Sequence, residues 1–122
     1  MTCQLQHTRP SQTEQIARLN DRARLGLDRR ARIVVTAGLL AKLSNDDPRS
    51  RIMAQARIMQ AVRQRTFTPD SPERDMAWFE IDGHRAMFKI DYYDESMEWA
   101  SPDPTDASIT IRVVTVMAPE DY

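Results

Sequence analysis

The spacing of apolar residues in the first third of the chain predicts a helix followed by a short strand. Ser11 and Glu14 form a Ser-x-x-Glu capping box, which marks the start of a helix. One face of this helix is apolar at helical spacing, through Ile16, Leu19 and Ala23. Residues 33–36 are all β-branched and therefore predict a strand.

A longer helix is predicted next, and its start is well marked. Asp47 can cap its N-terminus, and Pro48 suits its first turn. Residues 39–43 predict a short helix before it, and residues 66–75 predict a proline-rich loop after it. The apolar residues expected to face the core are Ile52, Ala56, Met59 and Val62.

Two strands with alternating faces, separated by a turn, are predicted over residues 77–93 and indicate a β-hairpin. Asp82 and Gly83 are the pair that a tight hairpin turn favours. The core-facing residues of its second strand are expected to be Ala86, Phe88, Ile90 and Tyr92. A further strand is predicted at residues 109–116, of which seven of eight are β-branched.

These elements predict an α+β fold, with an antiparallel sheet of three to four strands and two to three helices packed on one face. We expect residues 1–10 to be a flexible N-terminus and residues 11–122 to form a single domain. A free strand edge, at residues 33–36 or at the last strand, would allow a homodimer.

Composition adds one feature to this picture, an uneven distribution of charge. Residues 1–65 contain thirteen Arg or Lys and five Asp or Glu, whereas residues 66–122 contain four and thirteen. Such a division is typical of proteins that bind nucleic acid or a charged partner. It is also expected when basic helices and an acidic sheet attract one another within one domain, because exposed charges are mostly solvated, and both interpretations stay open.

The rest of the composition predicts a cytoplasmic protein without a cofactor. Apolar residues make up 41% and charged residues 29% of the chain, and no apolar run reaches the roughly 18 residues of a membrane span. The first fifteen residues contain no apolar stretch typical of a secretory signal. Cys3 is the one cysteine, which leaves no internal disulfide and no cysteine-based zinc site.

The candidate functional segment is MFKIDYYDESMEW, at residues 87–99. The hairpin pattern places Asp91 and Tyr93 on the polar face of the second strand, and Asp94 where the chain leaves the sheet. Aromatic residues beside acids are typical of a protein-binding patch. The residues expected to bind a protein partner are Asp91, Tyr93, Asp94, Glu95, Glu98 and Trp99.

A metal-dependent hydrolase is one alternative for the same segment. Asp91, Asp94 and Glu98 could hold a hard cation such as Mg²⁺ if the chain turned sharply after the strand. The Glu-x-Lys pattern of strand-type nucleases is absent, and His7 and His84 have no Ser or Cys partner at a recognisable spacing. The sequence therefore favours a protein that is not an enzyme.

A nucleic-acid-binding regulator is the other alternative, and it would use the basic N-terminal half. The β-branched residues 33–36 make the segment after the first helix a poor recognition helix. The arginines expected to contact phosphates are Arg18, Arg22, Arg24, Arg29 and Arg30.

Three segments resemble the DUF3768 family: IARLNDRARLG, RIVVTAGLLAKL and FKIDYYDESMEWASPDPTDASITIRVVTVMAPEDY. The resemblance as a whole covers about residues 14–122. The most specific part is KIDYYD followed by SPDP. The resemblance implies a small accessory protein of a plasmid or other mobile element, such as an inhibitor of host defence of the anti-CRISPR or anti-restriction type. Arg74 and Ala77 stand where the family pattern has His and Gly, which argues against chemistry that needs this His.

Overall fold

A computed structural model describes residues 10–64 and 70–122. Its helices are α1 (Gln12–Arg24), α2 (Ala37–Leu43) and α3 (Pro48–Arg63), and a 3₁₀ turn covers Pro119–Asp121. Its strands are β1 (Arg32–Val35), β2 (Met76–Ile81), β3 (His84–Tyr93) and β4 (Ile111–Met117). The strands lie in the order β1-β4-β3-β2, and the helices pack on one face of the sheet.

The predicted α+β class is confirmed, but the sheet is mixed and not purely antiparallel. β2 pairs with β3 and β3 with β4 in antiparallel orientation, whereas β1 runs parallel to β4. Parallel neighbours need a long crossover, and here α2, α3 and the hairpin lie between them in the chain. The last strand is therefore central, so the prediction that it offers a free edge is wrong, and of the two expected edges only β1 is one.

The core lies between the helices and one face of the sheet. Alternate residues of the three longer strands face the helices: Phe79, Ile81, Ala86, Phe88, Ile90, Val114 and Val116. The helices contribute Ala23, Leu39, Leu43, Ala54, Ile58 and Val62. The predicted core stripe of α3 is wrong except for Val62, because α3 turns Ala54 and Ile58 inward and leaves Ile52 and Ala56 exposed.

The local start and turn signals are confirmed. Ser11 Oγ accepts a hydrogen bond from the N–H of Glu14 at 3.1 Å, although the Glu14 carboxylate contacts arginines instead of completing the capping box. Asp47 caps α3, and its side chain accepts from the N–H of Arg49 at 3.3 Å. Asp82 and Gly83 have φ values of 50° and 79°, as the tight hairpin turn requires.

Some predictions concern residues that the structure does not describe. The expected flexible N-terminus falls almost wholly on residues 1–9, and the expected proline-rich loop falls partly on residues 65–69. In the two described stretches, no helix has the length and apolar character needed to span a membrane.

Candidate partner-binding surface

The alternation of β3 determines where the residues at its C-terminal end lie. Asp91 and Tyr93 are half-buried on the sheet face opposite the described helices. Asp91 Oδ2 lies 3.0 Å from Nζ of Lys89, two residues earlier on the same face. Tyr92 points to the helices, as predicted, and Asp94 begins a loop.

Residues 94–99, which we call the Trp99 loop, are closed by backbone hydrogen bonds. The N–H of Asp94 donates to the carbonyl of Trp99 at 2.8 Å, and the N–H of Met97 donates to the carbonyl of Asp94 at 3.0 Å. Met97 has a φ of 64°, a left-handed conformation that side chains rarely adopt. Such a backbone persists only where its surroundings hold it, and the two backbone hydrogen bonds stabilise this conformation of the loop.

The carboxylate of Asp94 holds the inside of the Trp99 loop together. Its Oδ1 accepts from Ser96 Oγ at 2.7 Å, from the N–H of Glu98 at 3.3 Å and from the N–H of Trp99 at 3.4 Å. The Ser96 hydroxyl, followed by the backbone N–H groups, lowers the pKa of Asp94 below its usual value. Asp94 is therefore an ionised structural residue of the loop.

The loop presents its aromatic and acidic residues to solvent. Trp99 is 71% exposed, which is unusual for the largest apolar side chain. Glu98 is exposed and forms no ion pair with any residue in the described stretches. Glu95 is also exposed, and its Oε1 lies 3.1 Å from Nη2 of Arg30.

Arg30 joins the Trp99 loop to a second acidic loop at residues 101–110. Its Nη1 donates to the carbonyls of Ala107 at 3.1 Å and Ser108 at 2.7 Å, while its Nη2 donates to Glu95. In the second loop, Asp106 accepts from the backbone and hydroxyl of Ser108, which lower its pKa. The two loops therefore form one continuous acidic surface.

The charge of this surface follows directly from the sequence. Between Ile90 and Arg112 the chain has no Arg or Lys and six carboxylates: Asp91, Asp94, Glu95, Glu98, Asp103 and Asp106. Lys89 and Arg30 each neutralise one of them. The surface keeps a net negative charge.

A buried polar network supports the base of the Trp99 loop. Tyr92 Oη donates to Glu73 Oε1 at 2.9 Å and accepts from Asn20 Nδ2 at 2.8 Å. Asn20 is fully buried, and its amide also donates to the carbonyl of Glu73 at 3.0 Å. Burial raises the pKa of Tyr92 well above its ordinary value, so the tyrosine stays neutral.

Arg112 of β4 completes this network and is itself 1% exposed. Its Nε donates to Asn20 Oδ1 at 2.8 Å, and its Nη2 donates to the carbonyl of Pro104 at 2.6 Å. Its guanidinium lies 5.0 Å above the ring of Tyr92, and burial lowers its pKa. The KIDYYD and SPDP segments are therefore tied together by one buried arginine.

The acidic residues do not converge on a metal position. Asp91 contacts Lys89 on the sheet face, whereas the Asp94 carboxylate is occupied within its own loop. Over residues 10–64 and 70–122, no group of three or more His, Cys, Asp or Glu side chains is placed to hold a metal ion. The hydrolase alternative gains no support from this geometry.

An open notch of about 440 Å³ lies at the edge of β3, beside the Trp99 loop. At one end of the notch, the carbonyl of Asp75, just before β2, accepts a hydrogen bond from the N–H of Ile90. Toward the C-terminal end of β3, Ala100 pairs with Tyr93 in an isolated antiparallel bridge. Its lining residues are Asp75, Ile90, Asp91, Tyr92, Tyr93 and Ala100. The notch is open to solvent next to the acidic surface.

The predicted phosphate-binding arginines do not form one exposed surface. Arg24 is buried, and its Nη1 donates to the carbonyls of Val62 and Arg63 at the end of α3, so its expected role as a surface contact is wrong. Arg30 is engaged by the acidic loops. Arg18 is exposed but pairs with Glu14 on the same helix, and the remaining two, Arg22 and Arg29, are exposed.

Sequence reasoning missed the buried network and a second arginine that supports it. Arg74, which stands where the family pattern has His, has its Nη2 2.8 Å from Asp21 Oδ2 and 3.4 Å from Glu14 Oε2. It thereby fixes the segment before β2 to α1. Arg112 could have been found, because it shares the core-facing alternation of Val114 and Val116 in β4.

Comparison with known proteins identifies a family. Residues 35–121 match the family model described as a protein of unknown function (DUF3768), which covers α2, α3 and the whole sheet except most of β1. Neither the curated proteins nor the solved structures give a match. The match extends over more than two thirds of the chain and includes the KIDYYD and SPDP segments, and the chain therefore belongs to the DUF3768 family.

Proposed function

We propose that this protein is not an enzyme and binds a basic protein partner through the Trp99 loop and the adjoining acidic surface. The observation that carries the proposal is the 71% exposure of Trp99 on a loop that its own hydrogen bonds already close. Tryptophan is enriched among the residues that dominate binding energy. A loop fixed before binding loses little conformational entropy when the partner arrives.

The charge of the surface defines the chemistry of the partner. Asp94 and Asp106 have lowered pKa values and stay ionised, and Glu98 has no cation beside it among the described residues. A negative surface of this kind speeds association with a basic surface and selects against acidic ones. A protein that handles nucleic acid carries such a basic surface.

The second part of the proposal is biological and is supported by the family resemblance. A preformed acidic loop that occupies a phosphate-binding surface would inhibit the partner, as expected of an anti-CRISPR or anti-restriction protein of a mobile element. Displacement of the partner from its DNA or RNA by the full-length chain is then the expected activity.

The experiment is quantitative affinity purification of the tagged full chain from the cells that carry its gene. Trp99→Ala and Glu98→Lys are expected to reduce recovery of one or a few basic proteins at least tenfold. The matched control is Tyr122→Ala, because Tyr122 is also 71% exposed but packs against Trp78 of β2. Equal recovery of every protein by all four chains would contradict the proposal.

A further inference from the structure

The outer face of α3 carries apolar side chains that no described part of the chain covers. Ile52 is 66% exposed and Met53 is 56% exposed. Ile58 is the centre of the buried stripe, and Ile52 and Met53 lie about 120° and 140° from it in opposite directions around the helix, so the pair flanks the side opposite the stripe. α3 therefore has two apolar faces, of which the fold uses one.

An unneutralised arginine lies at each end of this outer face. Arg49 and Arg63 are exposed, and neither forms an ion pair with a residue in the described stretches. By contrast, Arg57 of the same helix pairs with Asp82 at 3.0 Å. Fourteen residues of helix separate Arg49 from Arg63, which is about 21 Å along the axis.

We propose that this face docks an amphipathic helix of another protein, with an apolar stripe on Ile52 and Met53 and carboxylates near Arg49 and Arg63. Methionine and arginine are enriched in protein interfaces, and an apolar stripe read at helical spacing is the usual contact of a docked helix. The α3 outer face consists of Arg49, Ile52, Met53, Ala56, Gln60 and Arg63.

The same observations disfavour two other occupants. A nucleic acid would bring hydrated phosphates onto Ile52 and Met53 and leave their apolar surface uncompensated. A second copy of this chain would bring either α1, whose exposed Arg18 and Arg22 repel the arginines of this face, or the acidic Trp99 loop, which is not a helix and presents one exposed aromatic side chain. The inference concerns other elements than the Trp99 loop and does not depend on the proposed function.

The test is an NMR titration of the ¹⁵N-labelled full chain with two synthetic amphipathic helical peptides. Both carry the same leucine stripe, but one has glutamates and the other lysines beside it. The glutamate peptide is expected to shift the amide signals of α3 and to bind at least tenfold more tightly than the lysine peptide. Ile52→Ser/Met53→Ser should abolish binding, and Arg49→Glu/Arg63→Glu should reverse the preference.

Two control variants separate this face from the other charged surfaces. Arg18→Glu/Arg22→Glu makes the same charge change on α1 and should keep the peptide preference, as should Trp99→Ala. All substituted side chains are exposed, so the melting temperatures should stay unchanged. Equal binding of both peptides, shifts outside α3, stronger α3 shifts with a duplex DNA, or concentration-dependent α3 shifts without peptide would each overturn the inference.

Discussion

At the scale of single residues, the acidic surface depends on side chains that never reach the surface. Arg112 is almost wholly buried, yet it contacts an amide oxygen and a carbonyl and has no carboxylate within hydrogen-bonding distance in the described parts of the chain. A buried cation of this kind costs desolvation energy, which only well-formed hydrogen bonds offset. Its position between Asn20 and Pro104 therefore links the helical layer to the acidic loops.

We expect Arg112→Met to destabilise the fold by about 2 kcal/mol, because it leaves the oxygens of Asn20 and Pro104 without donors in a buried site. Urea denaturation measures this loss in the free energy of unfolding. The matched control, Arg49→Met, removes an exposed arginine and should change stability by less than about 0.5 kcal/mol. Unchanged or greater stability of Arg112→Met would show that desolvation outweighs the hydrogen bonds.

The ionised Asp94 gives the Trp99 loop a defined pH dependence. Its pKa is lower in the folded loop than in the unfolded chain, so its stabilising contribution is complete above the ordinary aspartate value of about 4. That contribution is lost as the pH falls through the folded pKa. NMR titration of the amides of Glu98 and Trp99 should show one step below about pH 4.

The control for this titration is Asp94→Asn, which keeps an acceptor oxygen but cannot ionise. The step in the Glu98 and Trp99 signals should disappear in this variant, and both amides should exchange with solvent faster at neutral pH. A step above about pH 5, or one that survives in Asp94→Asn, would show that another group controls the loop.

At the scale of elements, the hairpin is the part of the fold that local sequence specifies most completely. Its turn needs positive φ at two successive residues, and Asp82 and Gly83 provide it. The register that follows places Phe79 opposite Ala86 and Ala77 opposite Phe88 on the core side. One turn thereby determines which side chains of β3 face the helices and which lie on the opposite face of the sheet.

Gly83→Ala should destabilise the fold by about 1 kcal/mol, because a Cβ is disfavoured at a φ of 79°. The cost is conformational, since no described residue other than the two chain neighbours has an atom within 4 Å of the added Cβ. Gly83→Asn should recover most of the loss, because asparagine adopts the left-handed conformation more readily. Thermal unfolding of the two variants compares them, and a loss as large in Gly83→Asn as in Gly83→Ala would argue against this explanation.

At the scale of the whole molecule, the two oppositely charged halves of the chain contact each other. Ion pairs join the basic half to the acidic half at Arg57–Asp82, Arg30–Glu95 and Lys42–Glu120. Part of the opposite charge of the two halves is therefore neutralised by ion pairs within the fold, as expected if basic helices and an acidic sheet attract one another within one domain. Glu98 and the two arginines of the α3 outer face, Arg49 and Arg63, have no ion-pair partner among residues 10–64 and 70–122.

Local signals and packing explain which predictions succeed. The caps at Ser11 and Asp47 and the turn at Asp82 and Gly83 depend on a few neighbouring residues, so the sequence predicts them. The rotation of α3 and the central place of β4 depend on contacts between distant segments, which a local apolar pattern does not contain. Trp99 was predicted as a contact residue from its type alone; the closed loop that presents it required coordinates.

The same distinction applies to charged residues. Arg24 looked like a surface residue because it belongs to an arginine-rich helix, but the free carbonyls at the end of α3 draw it inward. Sequence composition gives the number of arginines and not their partners. Coordinates therefore show which arginines the fold itself engages, such as Arg24 and Arg30.

The most direct test of partner binding through the Trp99 loop is site-specific photocrosslinking of the full chain in the cells that carry its gene. A photoreactive amino acid replaces Glu98 in one variant and Glu80, an exposed glutamate of β2, in the control. Position 98 is expected to crosslink to a basic protein in high yield, and position 80 is not. No crosslinked protein at position 98, or the same protein in equal yield at both positions, would contradict it.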